Sequence, residues 1–302
     1  MCFLDFKMKY FIYIFLLLCF VACSEPEFIH PELVLEGWIE DNGHPFVLIH
    51  NSYTASEDVD SVHNIIENKT IFWGKVTVLG DEVSDVMTGK LDTTYLPPYH
   101  YSSVDIKGES GKTYEVVAEY EGQKVYAITT IPDRVVFDSI SVELLNDKKG
   151  NVRLKGFLTD NDERDNYYVL FYRYRGEKQY INCFLGVVSD IEADENGLIQ
   201  IPIYNNFSIH KLRNRGDKNN SRYFNEQDTV DLKLSAVDKT SYDIWKDISA
   251  LSSSSSFPFL PIYKNVKTNI VGGKGYWCGY ASSVYSLVLD KDTTYVYNTI
   301  KD

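Results

Sequence analysis

Two acidic stretches of the chain have the composition of calcium-binding loops. Residues 192–197 (EADENG) follow the spacing at the start of such a loop, but the position that needs a bidentate carboxylate holds Ile203. Residues 160–166 (DNDERDN) are denser in oxygen ligands and lack the glycine that orders the loop. We interpret residues 160–166 as a solvated acidic turn, with an irregular calcium site as the alternative.

Two glycine-rich stretches resemble parts of nucleotide-binding motifs. Residues 108–113 (GESGKT) have too few residues between the glycines for a phosphate loop, and a strand follows where a helix is needed. Residues 273–275 (GKG) begin like a dinucleotide fingerprint, but the third glycine position holds Cys278. We therefore predict a hairpin turn at the first stretch and a bend packed against aromatic rings at the second.

No arrangement of residues along the chain indicates catalysis. The six histidines have no metal-ligand spacing, and neither a His-Glu-x-x-His nor a Gly-x-Ser-x-Gly motif occurs. We expect no enzyme activity, no metal and no cofactor, although folding could still bring two carboxylates together. The remaining signal is aromatic: the chain has 23 Tyr, which suit either binding surfaces or β-sheets in general.

Cys23 has the best-defined chemistry in the sequence. An apolar run over residues 10–22 follows two lysines; it is shorter than the roughly 20 residues that span a bilayer and is typical of a signal peptide. Ala22 followed by Cys23 resembles the lipobox of bacterial lipoproteins, whose thiol carries a diacylglycerol. We predict a signal peptide over residues 1–22 and lipidation (palmitate) at Cys23, with an ordinary secretory signal as the alternative. Whether translation starts at Met1 or Met8 stays open.

Acidic residues follow Cys23 at once. Ser24, Glu25, Pro26 and Glu27 resemble the surface-export signal of some Gram-negative lipoproteins, and they equally suit a polar tether. We expect a lipidated tether over residues 23–31 and a protein anchored in the outer membrane that faces the cell exterior.

The charge of the chain limits its partners. With 43 acidic and 30 basic residues, the formal net charge is −13, which repels phosphate backbones and argues against nucleic acid. Beyond the signal region and Cys23, the cysteines are Cys183 and Cys278. An oxidising compartment allows them to pair, and separate burial in the core is the alternative.

Apolar residues alternate with polar ones with a period of two along most of the chain. Strands are predicted over residues 33–39, 45–49, 76–79, 114–120, 124–128, 167–172 and 230–234. The first two should be joined by a turn at residues 41–43, and the strands 114–120 and 124–128 should form a hairpin with its turn at residues 121–122. The strand 167–172 should be buried on both faces. We predict a mainly β fold: an N-terminal immunoglobulin-like β-sandwich over residues 32–132 and a second β-rich domain over residues 133–302, divided near Pro132. The second domain should carry one short helix after a capping box at residues 240–243, ending in a loop at residues 252–256.

The mature chain resembles, over essentially its whole length, the lipoprotein family called domain of unknown function 4249. Its most recognisable motif lies near the C-terminus, at Asn269, Gly272, Gly273, Gly275, Tyr276 and Trp277. Further similar stretches are residues 33–39, 111–114, 126–127 with 131–132, 166–168 and the helix at 242–248. Cys278 departs from the pattern, because an aromatic or aliphatic residue is expected there.

The resemblance implies a function that the motifs alone do not give. Such lipoproteins are usually encoded beside TonB-dependent outer-membrane transporters, which suggests a non-catalytic accessory subunit that binds the transported nutrient. The ligand could be a glycan, a peptide or a metal chelate. An adhesive or structural envelope lipoprotein is the alternative hypothesis, and a surface enzyme is the third.

Overall fold

The computed structural model describes residues 31–52, 69–81, 83–147, 150–159, 164–205, 222–254 and 266–297. The expected signal peptide, Cys23 and residues 24–27 lie outside the described residues, as does the greater part of the acidic stretch 160–166. Within the described part of the chain, no helix is long and apolar enough to cross a bilayer.

The described part of the chain forms three sheets, whose strands have alternating apolar residues, and one α-helix. The elements in chain order are β1 (Leu33–Glu40), β2 (Phe46–Asn51), β3 (Lys75–Leu79), β4 (Ser84–Val86), β5 (Thr88–Leu91), β6 (Tyr99–Ser102), β7 (Thr113–Tyr120), β8 (Gln123–Thr130), β9 (Ser139–Leu144), β10 (Asn151–Thr159), β11 (Tyr167–Tyr174), β12 (Ile181–Ser189), a 3-10 turn (Asp190–Glu192), β13 (Leu198–Ile203), β14 (Phe224–Asn225), β15 (Thr229–Val237), α1 (Lys239–Ser254), β16 (Lys274–Val288) and β17 (Thr293–Val296). The prediction of a mainly β protein with a single helix in its second half is confirmed for these residues.

The largest sheet has eight strands in the order β12-β11-β15-β16-β1-β2-β6-β5. Its central pair, β1 and β16, is parallel, and every other neighbouring pair with a described register is antiparallel. The two smaller sheets run β13-β10-β9-β17, with β14 beside β10, and β4-β3-β7-β8. The large sheet thus takes strands from both sides of the domain boundary expected near Pro132, and residues 32–302 group into one unit.

The burial of alternate residues explains how the sheets pack. Along β1, the odd-numbered residues from Leu33 to Ile39 are buried and the even-numbered ones are only half-buried. The buried faces of all three sheets join in one apolar core, which includes Leu35, Val116 and Leu154. A second, smaller cluster lies on the opposite face of the large sheet, where α1 contacts β11, β12 and β16.

Local turn chemistry fixes the predicted hairpins. Glu121 and Gly122, between β7 and β8, both have positive φ, at 46° and 79°, as a two-residue turn that matches strand twist requires. The hairpins β1–β2 and β7–β8 are confirmed, and β11 is buried on both faces along most of its length, as predicted.

The helix begins two residues earlier than the predicted capping box indicates, at Lys239. Asp238 caps it, because its Oδ1 accepts the backbone N–H of Ser241 at 2.7 Å. The predicted capping box at residues 240–243 is therefore wrong, since a carboxylate at 238 takes that role. The helix also extends to Ser254 and does not end before residue 252.

Both described cysteines are buried and free. Cys183 and Cys278 form no disulfide, so the structure favours separate burial over pairing. Burial raises the pKa of the Cys278 thiol to about 12 and also raises that of Cys183. Because the thiolate is the reactive form, both side chains act as small apolar groups in the core.

Candidate ligand-binding groove

A groove of about 410 Å³ lies on the outer face of the large sheet. Its floor comes from central strands. Trp38 and Glu40 are even-numbered residues of β1, whose odd-numbered neighbours face the main core. Lys233 of β15 and Tyr280 of β16 lie on the same face, and Tyr280 is directly paired with Glu40. The alternation of the strands therefore sends apolar residues to the core and these four side chains to the groove.

The walls of the groove come from the helix and two loops. Trp245 projects from α1, and its Nε1–H donates to the Tyr280 hydroxyl at 2.8 Å. Tyr180 and Gln179 belong to the β11–β12 loop, and Tyr95 belongs to the β5–β6 loop. The side-chain amide of Gln179 donates to the Thr94 carbonyl, which ties the two loops together above the floor.

A column of stacked rings supports Trp38. Its ring lies 4.3 Å from that of Phe46, and the Phe46 ring lies 4.5 Å from that of His100, with interplanar angles of 22° and 21°. His100 is buried, and its Nδ1 has no hydrogen-bond partner among the described residues. The wall at Trp38 is thus held by packing on a neutral imidazole.

The buried position of His100 predicts a loss of stability in acid. Burial lowers its pKa below the ordinary 6.5, with help from Lys90 and against the opposing charge of Asp92. Below pH 6.5 the His100 imidazole binds a proton in the unfolded chain more readily than in the folded chain. The free energy of unfolding therefore falls as the pH drops from 6.5 toward the pKa of His100 in the folded protein. One group contributes a slope of at most about 1.4 kcal/mol per pH unit.

Urea unfolding of the wild type and of His100→Phe between pH 7.5 and pH 5 measures this contribution. Phenylalanine keeps the stacking and cannot titrate, so the variant should show a shallower loss of stability in acid. Identical pH profiles for the two proteins would contradict the prediction.

An ion pair occupies the centre of the floor. The Lys233 ammonium contacts the Glu40 carboxylate, and the two side chains are 12% and 28% exposed. The ammonium also lies 4.6 Å from the centre of the Tyr180 ring, 5.2 Å from that of Phe171 and 5.9 Å from that of Tyr280. Three aromatic faces and a carboxylate therefore fix the cation in place. The pair offers adjacent charged donors and acceptors at the base of an otherwise aromatic groove.

The tyrosines around the pair are neutral at physiological pH. Burial raises the pKa of Tyr276 and of Tyr280 well above the ordinary value, and it also raises that of Tyr180. Each hydroxyl therefore keeps its proton and can donate a hydrogen bond. The groove can bind a ligand through ring faces, neutral hydroxyls, one charged pair and the exposed ammonium of Lys178.

The described residues provide little for hydrolytic or metal chemistry in this groove. Glu40 is the carboxylate among the described lining residues, and Lys233 holds it. No group of three or more His, Cys, Asp or Glu in the described part of the chain could hold a metal ion. In the stretch 192–197, the Asp194 carboxylate instead accepts the backbone N–H groups of Asn196 and Leu198, at 2.8 and 3.0 Å, which closes a turn.

The phosphate-loop-like stretch 108–113 is also a turn. The backbone N–H of Lys112 donates to the Glu109 carbonyl at 3.2 Å, and β7 begins at Thr113. The prediction of a turn is confirmed. Its assignment to a hairpin is wrong, because β7 pairs with β3 and β8 and not with the residues before the turn.

The C-terminal motif singled out in the sequence divides between two faces of β16. Trp277 is fully buried in the main core, and its Nε1–H donates to the Tyr114 carbonyl at 3.0 Å. The Asn269 side chain donates to the Trp277 carbonyl at 2.7 Å and accepts its N–H at 3.0 Å. Tyr276 points to the other face and lines the groove. Of the motif's described residues, only Tyr276 lines the groove. Asn269 and Trp277 instead stabilise β16, the strand that carries Tyr276.

The glycines of the motif allow close contact with the backbone of neighbouring strands. A Cβ atom on Gly273 would lie 2.3 Å from the Leu33 carbonyl oxygen, and one on Gly272 would lie 2.7 Å from that of Lys124. The predicted bend near residues 273–275 is confirmed, but these glycines pack against the backbone of neighbouring strands and not against aromatic rings.

The signal for the groove in the amino-acid sequence is too general to locate it. The excess of tyrosine pointed to a binding surface or to ordinary sheet composition. Trp38, Glu40 and Lys233 fall on the polar positions of alternating strands, where aromatic and charged residues are common on any exposed face. What brings them together is the order of β1, β16 and β15 in the sheet, which periodicity does not encode.

The fold and the groove define a class of protein: a mainly β domain of three sheets that presents an aromatic groove, with an ion pair at its floor, on the outer face of its largest sheet. The chain belongs to the family described as Domain of unknown function (DUF4249), whose family model matches residues 23–286. A comparison with curated proteins finds no similar sequence.

Proposed function

We propose that this protein is a lipid-anchored, non-catalytic binding protein of the outer membrane that captures a nutrient in the aromatic groove and serves a TonB-dependent transporter. The groove carries the proposal. Rigid aromatic walls with a few fixed polar groups are the usual composition of small-molecule sites, and 410 Å³ falls within their usual range of volume. The partnership with a transporter is what the resemblance to this lipoprotein family implies.

Acyl chains on Cys23 supply the anchor. Each buried methylene contributes about 0.8 kcal/mol, so two or three acyl chains hold a protein on a membrane firmly. The family match begins at residue 23, directly after the expected signal peptide. Eight residues, 24–31, can span at most ~26–29 Å, so an acyl anchor on Cys23 would keep the groove near the membrane surface.

The chemistry of the groove favours binding over catalysis. Hydrolysis by paired carboxylates needs a second acidic group within several ångströms, whereas Glu40 has a lysine beside it. The buried thiol of Cys278 stays protonated and cannot act as a nucleophile. A fixed, neutral aromatic surface instead favours reversible capture.

Substitution of Cys23 tests the anchor. Cys23→Ser should abolish metabolic labelling with palmitate and release the protein from the outer-membrane fraction, because serine has no thiol to carry the lipid. Cys19→Ser, four residues earlier in the predicted signal peptide, is the matched control and should leave both unchanged. Membrane retention and labelling of Cys23→Ser would reject the lipoprotein assignment.

A mild-detergent pull-down from outer membranes tests the partnership. The tagged protein should retain a stoichiometric TonB-dependent transporter, identified by mass spectrometry. A deletion strain should also lose growth on one nutrient. Normal growth together with altered attachment, and no transporter in the pull-down, would instead assign an adhesive or structural role in the envelope.

A further inference from the structure

We infer that the ligand of the aromatic groove is a neutral saccharide, with one pyranose ring packed on the aromatic lining residues Trp38, Trp245 and Tyr276 and two neighbouring hydroxyls bonded to Lys233 and Glu40. This inference rests on the proposed binding function and names the chemistry of the cargo. It follows from three features of the groove: the aromatic walls, the paired charges at the floor and the position of the floor within the sheet.

The aromatic walls suit a ring that has apolar faces and polar edges. Trp38, Trp245 and Tyr276 line the groove, and the rings of Trp245 and Tyr276 lie 6.2 Å apart at an interplanar angle of 51°. A pyranose presents C–H groups on its faces and hydroxyls around its rim, so its faces can pack on aromatic rings while its hydroxyls point elsewhere. Because the rings of Trp245 and Tyr276 are neighbours, they offer one continuous aromatic surface to such a sugar.

The floor suits two adjacent hydroxyls. A hydroxyl both donates and accepts a hydrogen bond, an ammonium only donates, and a carboxylate only accepts. Lys233 and Glu40 are in contact, so one hydroxyl can accept from the lysine while its neighbour donates to the glutamate. Such charge-assisted bonds are stronger than bonds between neutral groups, and the rings around Lys233 hold the donor in position before the ligand arrives.

The position of the floor within the sheet argues against a peptide. Extended peptides commonly bind by adding a strand to an open sheet edge. The floor strands β1, β15 and β16 each have a hydrogen-bonded neighbour on both sides, so their backbone groups are already paired. A peptide in this groove would gain no ladder of main-chain hydrogen bonds.

Charge argues against an anionic ligand. The formal net charge of the chain is −13, which disfavours the approach of anions over long range. Inside the groove Glu40 neutralises Lys233 at the floor. The other charged lining residue, Lys178, is exposed to solvent in the β11–β12 loop, where salt screens its attraction for a carboxylate or an anionic chelate. A neutral ligand is not repelled by the net charge of the chain and needs no excess positive charge at the floor.

The inference is tested by titrating neutral hexasaccharides into a soluble form of the protein that begins at Ser24. The hexasaccharides are linear oligomers of glucose, mannose, galactose or xylose in their common linkages. Tryptophan fluorescence and calorimetry measure their binding. At least one should bind saturably, and its affinity should change less than about twofold between 50 and 500 mM NaCl, because screening acts only on charged ligands. Short neutral and charged peptides serve as the comparison set.

Variants of the groove locate the binding. Trp245→Ala and Glu40→Gln should each weaken the bound hexasaccharide at least tenfold, the first by removing a wall and the second by removing the charged acceptor. Trp73→Ala is the matched control, because Trp73 is 90% exposed and is not among the residues that line the groove; it should leave the affinity unchanged. Circular dichroism and thermal unfolding confirm that each variant is folded.

The outcomes separate the saccharide from the broader function. Binding that Trp245→Ala and Glu40→Gln both weaken supports the inference. No saturable binding by any hexasaccharide, or binding that both variants leave intact, overturns it. If peptides bind in a groove-dependent way instead, the capture function stands and the saccharide is rejected. If the groove variants weaken binding of neither saccharides nor peptides, and the pull-down recovers no transporter, the proposed function fails as well.

Discussion

Replacement of Gly275 by alanine should lower the free energy of unfolding by at least about 3 kcal/mol. Gly275 has φ of +106°, a conformation that side chains rarely adopt, and it pairs directly with Leu35 of β1. An added Cβ would lie 1.9 Å from the Leu35 carbonyl oxygen. The substitution therefore forces apart β1 and β16, the central parallel pair of the large sheet. Urea unfolding followed by circular dichroism measures the loss.

A second glycine separates the two causes of this effect. Gly111 also has positive φ, +80°, but a Cβ there would meet nothing within 4 Å. Gly111→Ala should cost only the backbone strain, about 1–2 kcal/mol. Equal losses at both positions would show that the contact with β1 is unimportant. If Gly275→Ala yields no folded protein while Gly111→Ala does, Gly275→Ala has the larger loss of stability, as expected.

The elements of this fold that could be predicted are those with a local cause. Alternation along β1 and β7, the Glu121–Gly122 turn and the presence of helix α1 each depend on residues a few positions apart. These were predicted correctly, with small errors at the ends of the helix. The cap at Asp238 was missed because Thr240 also heads a plausible capping pattern.

The pairing of distant strands could not be predicted. Alternation shows which residues of a strand share a face, and it leaves open which other strand lies beside it. β1 pairs with β16, whose residues lie more than two hundred positions later in the chain. This parallel pairing joins the two halves that the proline near residue 132 was expected to divide. The groove depends on the same pairing, since it sets Glu40 beside Tyr280.

The motif near the C-terminus has a structural explanation that involves the start of the chain. Gly37 of β1 is paired with Trp277 of β16, and a Cβ on Gly37 would lie 3.1 Å from Cε3 of the Trp277 ring. The glycine in the first similar stretch therefore leaves room for the tryptophan in the last one. Sequence comparison marks both stretches, but only the structure shows that they form one packing unit.

Replacement of Trp277 by alanine should lower the free energy of unfolding by about 3–5 kcal/mol. Its ring is fully buried, and its Nε1–H donates to the Tyr114 carbonyl of β7, so the change leaves both a cavity and a buried carbonyl without its donor. Trp277→Phe keeps most of the ring but loses the donor, and it should lie between the wild type and the alanine variant.

Trp73→Ala is the control for Trp277, because Trp73 is 90% exposed and a substitution there should stay within about 0.5 kcal/mol of the wild type. Similar losses of stability at positions 73 and 277 would contradict the packing role.

The neighbouring Tyr276 gives the complementary test, since it faces the groove from the same strand. Tyr276→Ala should weaken ligand binding more than Trp277→Ala does. Trp277→Ala should lower the free energy of unfolding more than Tyr276→Ala does. A reversal of that order would mean that the motif binds the ligand directly and that the groove has been assigned to the wrong face of β16.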